Sequence, residues 1–221
     1  MTQTINKNLE ETSGYILLHR AIERNLRLLE QHSSELSNPD ISKVQKINQW
    51  WDEMWLIIEH HHVNEDKVVF PVFFERVPGL KEQMEGLTAD HHVLDDLVVK
   101  MGGFLKLAQK VVPNREAAFR QFVDTLTTFN SLMFDHLKRE EVIVLETEAT
   151  YFTEEELEAM EAQIMKNTPM GVLALEAPFL FYGVPERVEK NFIKNSPLIL
   201  RLIYRLSWKP KFMRKLAKYM A

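Results

Sequence analysis

Two stretches of the chain pair a histidine with a carboxylate four residues later: His61 with Glu65, and His136 with Glu140. Residues i and i+4 lie about 40° apart around a helix and about 6 Å apart along it, so each pair can aim at one point. Each pair is preceded by a further histidine, His19 before the first and His91 before the second, at separations of 42 and 45 residues. Similar separations are what a duplicated helical hairpin produces. Together the four segments offer four imidazoles and two carboxylates to one spot. Ionised carboxylates among apolar side chains are very unfavourable unless something neutralises them, and a pair of cations does so. Mixed imidazole and carboxylate ligands suit iron, manganese or zinc. A single zinc needs four ligands, so the ligand count favours two metals.

The rest of the composition limits the alternatives. The chain has no cysteine, which excludes disulfides, iron–sulfur clusters and thiolate metal sites. Its N-terminal stretch is polar, without the apolar region of an export signal, and no uninterrupted apolar run reaches the ~18 residues of a membrane span. A cytoplasmic location is expected. The net charge of −5 gives no reason to expect a nucleic-acid partner, although ten Lys/Arg stand against the single acid Glu189 between Arg187 and Ala221.

Seven glycines, nine prolines and apolar residues at helical spacing predict an all-α chain. A first helix is expected from about Leu9 to Glu35, and a second, capped by Asp40, running to Pro71, where it should stop or kink. A third is expected over about Lys81 to Val111, weakened by Gly102-Gly103, and a fourth over about Arg115 to Glu148 with Asn114 as N-cap. Four long helices with short connections predict an up-down-up-down four-helix bundle over residues 1–150. Residues 151–221 read as a helical appendage packed on it. Its first helix opens at a Thr153/Glu156 capping box, and prolines open or close the shorter ones. The basic, amphipathic C-terminal segment reads as a lid on the bundle rather than a helix on a membrane surface.

His19, "HHVNEDKVVFP", "DHHVLDDL" and "HLKREEVIVL" together resemble the hemerythrin-like family, the HHE cation-binding domain, over roughly residues 9–150. The resemblance implies a four-helix bundle holding two non-haem iron ions with an oxo bridge. Carried over by position, it implies His19, His61, Glu65, His91, His136 and Glu140 as ligands. In some relatives the residue after the first histidine also binds, which makes His62 a further candidate. The oxygen-carrying members have His-x-x-x-His on the third helix, where this chain has His91 and then Asp95. Their fourth helix has its acid five residues after the histidine, which is Glu141 here. These departures shift the expected role from reversible oxygen carriage towards a small-molecule oxidant such as peroxide or nitric oxide, or towards iron storage or sensing without turnover. A ferritin-like carboxylate bundle would need Glu-x-x-His on two helices. Only Glu59-x-x-His62 fits, and Met133 stands where the second Glu should be.

The bland readings go to the other candidates. His60 is expected outside the site, and His32 solvated. Glu23 is expected in a salt bridge with a nearby Arg, and Tyr15 as a buried tyrosine with its hydroxyl satisfied. His92 and Asp95 are the alternatives for the missing third-helix ligand, with Asp95 also able to orient His91. Trp50, Trp51, Trp55, Phe70, Phe73 and Phe74 are expected to pack the core and restrict access to it.

Overall fold

In the computed structural model, which describes residues 13–194 and 196–220, four long helical segments run antiparallel. Helix α1 spans Gly14–Ser34 and α2 spans Ile41–Asn64. A π-helical turn, Glu65–Val69, joins α2 without a break to α3, Phe70–Arg76. Helix α4 spans Leu80–Ala108 and α5 spans Arg115–Tyr151. The expected start at Leu9 lies outside the described residues. Ser13 caps α1 by accepting from the Ile16 amide at 3.3 Å, and Asp40 caps α2 by accepting from Lys43 at 2.7 Å.

Two local expectations need correction. The second helical segment neither stops at Pro71 nor breaks there. Proline deprives the carbonyl four residues back of its donor, and the π turn absorbs the defect by pairing the Phe70 amide with Glu65, five residues back. Helix α4 continues through Gly102-Gly103, whose energetic weakness is offset by packing on both sides: Met101 and Leu105 are fully buried. Asn114 occupies the N-cap position of α5, but its side chain makes no capping bond.

The apolar faces build two clusters along the bundle axis. The larger contains Ile22, Leu26, Trp51, Met101, Phe119, Phe122 and Phe129. The smaller, at the other end, contains Phe70, Phe73, Leu80, Met84, Leu87 and Val144. On α4, His91 falls between residues of the two clusters, and on α5 so does Glu140. Trp50 and Trp51 are buried core residues, as expected, while Trp55 and Phe74 are partly exposed at its edge.

The C-terminal segment forms α6 (Glu154–Asn167), α7 (Met170–Phe181), α8 (Glu186–Ile193), α9 (Leu198–Ile203), a second π turn (Tyr204–Trp208) and α10 (Lys209–Met220). The Thr153/Glu156 capping box is present, and Pro169, Pro185 and Pro197 occupy N-cap positions. Pro178 instead sits inside α7. Gly183, at φ 77°, makes the turn after α7, where a Cβ would meet the Arg24 side chain at 3.0 Å. Helix α10 lies against α2: Tyr219 stacks on Trp50 with centroids 5.3 Å apart, and Lys215 pairs with Glu53. Its burial covers His32, whose ring lies 4.7 Å from that of Tyr219, so the expectation of a solvated His32 is wrong.

Candidate metal centre

Each long segment brings its share of polar side chains to one level of the bundle. Helix α1 supplies His19, the end of α2 His61 and His62, the π turn Glu65, α4 His91, and α5 His136 and Glu140. All seven are buried, none more than 6% exposed. Their ligand atoms form two groups, His19, His61, Glu65 and Glu140 in one and His62, His91 and His136 in the other, each with its atoms within 4.8 Å of one another.

The Nε2 atoms turn inward. Those of His19 and His61 are 3.0 Å apart, and those of His91 and His136 3.3 Å apart. Ligands of one metal, with bonds of roughly 2.0–2.2 Å at right angles, stand about 3 Å apart, so these spacings suit coordination. The two carboxylates reach both groups. Glu65 lies 3.0 Å from His61 Nε2 through one oxygen and 3.9 Å from His91 Nε2 through the other. Glu140 lies 3.8 Å from His19 Nε2 and 3.5 Å from His136 Nε2.

None of the four oxygens of Glu65 and Glu140 has a hydrogen bond of good geometry, nor does Nε2 of His62, and all are buried, with the two carboxyls and the Tyr15 hydroxyl crowded against one another. Native interiors rarely leave such groups unmatched, and five of them at one point mark a place for cations. Burial drives the titration the same way. It pushes Glu65 up to about 8 and raises Glu140 well above the usual range, with the Glu65 charge adding to the effect on Glu140. It holds His19 and His62 well below their ordinary value, and His136 down to about 3. The imidazoles are therefore neutral, the form that ligates, while the carboxyls retain protons that a cation would displace.

The outward ring nitrogens are held by a second set of carboxylates. His19 Nδ1 faces Glu141 at 3.1 Å, His91 Nδ1 faces Asp66 at 3.2 Å, and His136 Nδ1 faces Asp90 at 3.4 Å. A proton on each Nδ1, donated to its carboxylate, leaves the Nε2 lone pair pointing inward. Arg20 donates to Glu141 at 2.8 Å, and Arg139 pairs with Asp90, which anchors two of the three acids. The converging histidines and glutamates stand out as a repeat in the sequence, but these orienting acids have a weaker signal. Each follows or precedes a ligand candidate in sequence: Asp66 after Glu65, Asp90 before His91, Glu141 after Glu140.

The remaining candidates sort by geometry. His62 joins the site, stacked on His91 with centroids 4.1 Å apart and planes at 13°. Glu141 meets the outer nitrogen of His19, so it is placed to orient that ring, while Glu140 faces the centre. His92 and Asp95 are exposed, and the role of orienting His91 falls to Asp66 instead. His60 faces away, towards Asn64 at 3.2 Å and Glu176 at 3.8 Å. Glu23 pairs with Arg20 at 3.5 Å. Tyr15 closes over the site: its ring lies 4.1 Å from that of His19, and its buried hydroxyl lies against the Glu140 carboxyl.

Comparison with known proteins bears on this arrangement. The family model for the hemerythrin HHE cation-binding domain matches residues 17–147, an interval that contains all seven converging side chains. The chain belongs to the hemerythrin HHE cation-binding domain family. It is also similar to a zinc finger protein described as BRUTUS-like from Arabidopsis thaliana, 22% identical over 166 residues. That similarity covers 75% of this chain but only 13% of the relative's length. No solved structure matches the chain. The HHE domain thus accounts for α1 to α5, and its buried histidines and glutamates fit a metal site. Helices α6 to α10 lie beyond the matched interval.

Proposed function

We propose that this HHE-domain protein holds two non-haem iron ions and binds a small oxidant such as dioxygen, peroxide or nitric oxide. The observation that carries the proposal is the set of four buried, unpartnered carboxylate oxygens on Glu65 and Glu140, each side chain facing imidazoles of both histidine groups. One pair of ions between the two groups satisfies every one of them. His19 and His61 would hold one ion, His62, His91 and His136 the other, and Glu65 and Glu140 would span the two. Bound iron supplies electrons and Lewis acidity for an oxidant.

The protein's own part is to orient and to enclose. Asp66, Asp90 and Glu141 fix three of the five imidazole rings. Phe70 and the apolar clusters above and below exclude water. The two groups are unequal in imidazoles, and the poorer one, His19 and His61, lies under Tyr15. The buried Tyr15 hydroxyl, set against Glu140, therefore borders a small ligand received on that side.

Metal identity and stoichiometry of the as-isolated protein test the reading. About two irons per chain are expected, together with an absorption band that azide or peroxide perturbs. Well below one metal per chain, even after anaerobic iron loading, refutes it. Full iron loading with no response to azide, peroxide or nitric oxide replaces oxidant binding with iron storage or sensing.

A further inference from the structure

The C-terminal helices present two apolar faces, and only one of them is used by the fold. Tyr204, Phe212, Leu216 and Tyr219 point inward and are buried. Leu198, Ile199, Leu202 and Leu206 follow one another at helical spacing on the opposite side, exposed by 65, 65, 48 and 79%. Single exposed leucines need no explanation, but four on one ridge form a patch. Continuing from it, Arg205, Lys211, Arg214 and Lys218 are exposed as well. Between Leu198 and Met220 the chain has seven Lys/Arg and no acid, although its net charge is −5.

We propose that this outer face of α9 and α10 lies on an anionic lipid surface, with Leu198, Ile199, Leu202 and Leu206 entering the headgroup boundary and the cations engaging lipid phosphates. The chemistry favours lipid over a protein partner. An apolar ridge bordered by lysines and arginines is the pattern of an interfacial helix, whereas the cores of protein interfaces are depleted in lysine. A second copy docked face to face would set the same cations against one another. Contact would be peripheral, since among the described residues no helix is long and apolar enough to cross a membrane. The lid reading of this segment and its surface reading are compatible, because opposite faces serve them. The proposal does not depend on which oxidant the metal centre binds.

Co-sedimentation of the protein with vesicles tests it. With three parts phosphatidylcholine to one part phosphatidylglycerol, the protein should pellet at low salt and be released as salt rises. Pure phosphatidylcholine should retain at least tenfold less. Lys211→Glu with Arg214→Glu should weaken binding by about fivefold or more per cation. Leu202→Ser with Leu206→Ser should weaken it tenfold or more while moving the melting temperature by no more than a few degrees, because the two side chains are exposed by 48 and 79%. Three results would overturn the proposal: no pelleting with anionic vesicles, charge-reversed protein that binds as well as wild type, or a wild-type dimer that Leu206→Ser converts to monomer.

Discussion

Replacing Glu140 by methionine should stabilise the metal-free protein and destabilise the metal-loaded one. Glu140 is fully buried, neither of its oxygens has a hydrogen bond of good geometry, and the nearest imidazole nitrogens are at 3.5 and 3.8 Å. Without metal, the neighbouring Glu65 carboxyl and Tyr15 hydroxyl compensate only in part for taking that carboxyl out of water, a penalty of roughly 1–3 kcal/mol. Methionine has a similar length, no strong polar group and enough flexibility to fill the same space. In a chain of this size each kcal/mol moves the melting temperature by about 2–4 °C, so Glu140→Met should melt roughly 2–12 °C above wild type in chelator. With anaerobic ferrous iron the order should invert. Ligand at a hundredfold over its dissociation constant adds about 2.7 kcal/mol to wild type, and the variant loses much of that gain with its bridging group. Paired thermal melts, chelated and loaded, read both signs. If Glu140→Met is destabilised in chelator as much as in iron, the carboxyl is already satisfied without metal, for example by sharing a proton with Glu65, and the argument from unpartnered oxygens fails.

Other outcomes follow from the same geometry. In the metal-free protein, burial lowers His136 to about 3, so its contribution to stability is complete above its unfolded value of about 6.5 and is lost as pH falls towards 3. Burial raises Glu65 to about 8, so its contribution has the opposite sign, complete below about 4.3 and lost as pH rises through 8. Urea midpoints measured in chelator should therefore decline on both sides, and Glu65→Gln should reduce the alkaline decline, part of which the raised Glu140 carboxyl retains, without changing the acid side. Asp90→Ala removes the carboxylate facing His136 Nδ1 and should reduce metal affinity about 10–100-fold in chelator competition, with helicity retained. Gly103 is exposed inside α4, and a Cβ there meets nothing within 4 Å. Gly103→Ala should therefore raise stability by roughly 0.5–1 kcal/mol, read as a higher urea midpoint with unchanged slope.

What could be read from the sequence was whatever depends on local spacing. The caps at Asp40 and Thr153, the long amphipathic segments and the repeated His-x-x-x-Glu all follow from neighbours within a turn. What could not be read depends on which element lands opposite. His32 has a polar side chain near a helix end, and only the docking of α10, almost 190 residues later, buries it under Tyr219. His62 stands about 100° from His61 around α2, so its role turned on where α4 would lie. The structure stacks it on His91. Asp66, Asp90 and Glu141 each orient a ring on a different helical segment, so no spacing along one helix could assign them.

The π turn shows how a local defect serves the site. In an uninterrupted α-helix, Phe70 would stand about 180° from His61 and Phe73 about 120° from it, both well away from the face that carries the histidine. The one extra residue in the Glu65–Val69 turn rotates everything after it back by about 100°. Phe70 and Phe73 then return to the side of the core, where both are buried, and the Phe70 ring lies nearly parallel to His91 at 6.5 Å. Pro71 favours this solution because it removes the amide that a regular helix would donate to Lys67. The same pairing recurs at Tyr204–Trp208, where the Lys209 amide reaches back five residues to Tyr204 immediately before Pro210. In the first case the consequence is chemical. Glu65 faces the histidine groups while Asp66, the next residue, reaches His91 from outside, so one turn supplies both a bridging carboxylate and an orienting one. The proline that predicts a helix stop is thus part of what lets the helix continue in the register the site requires.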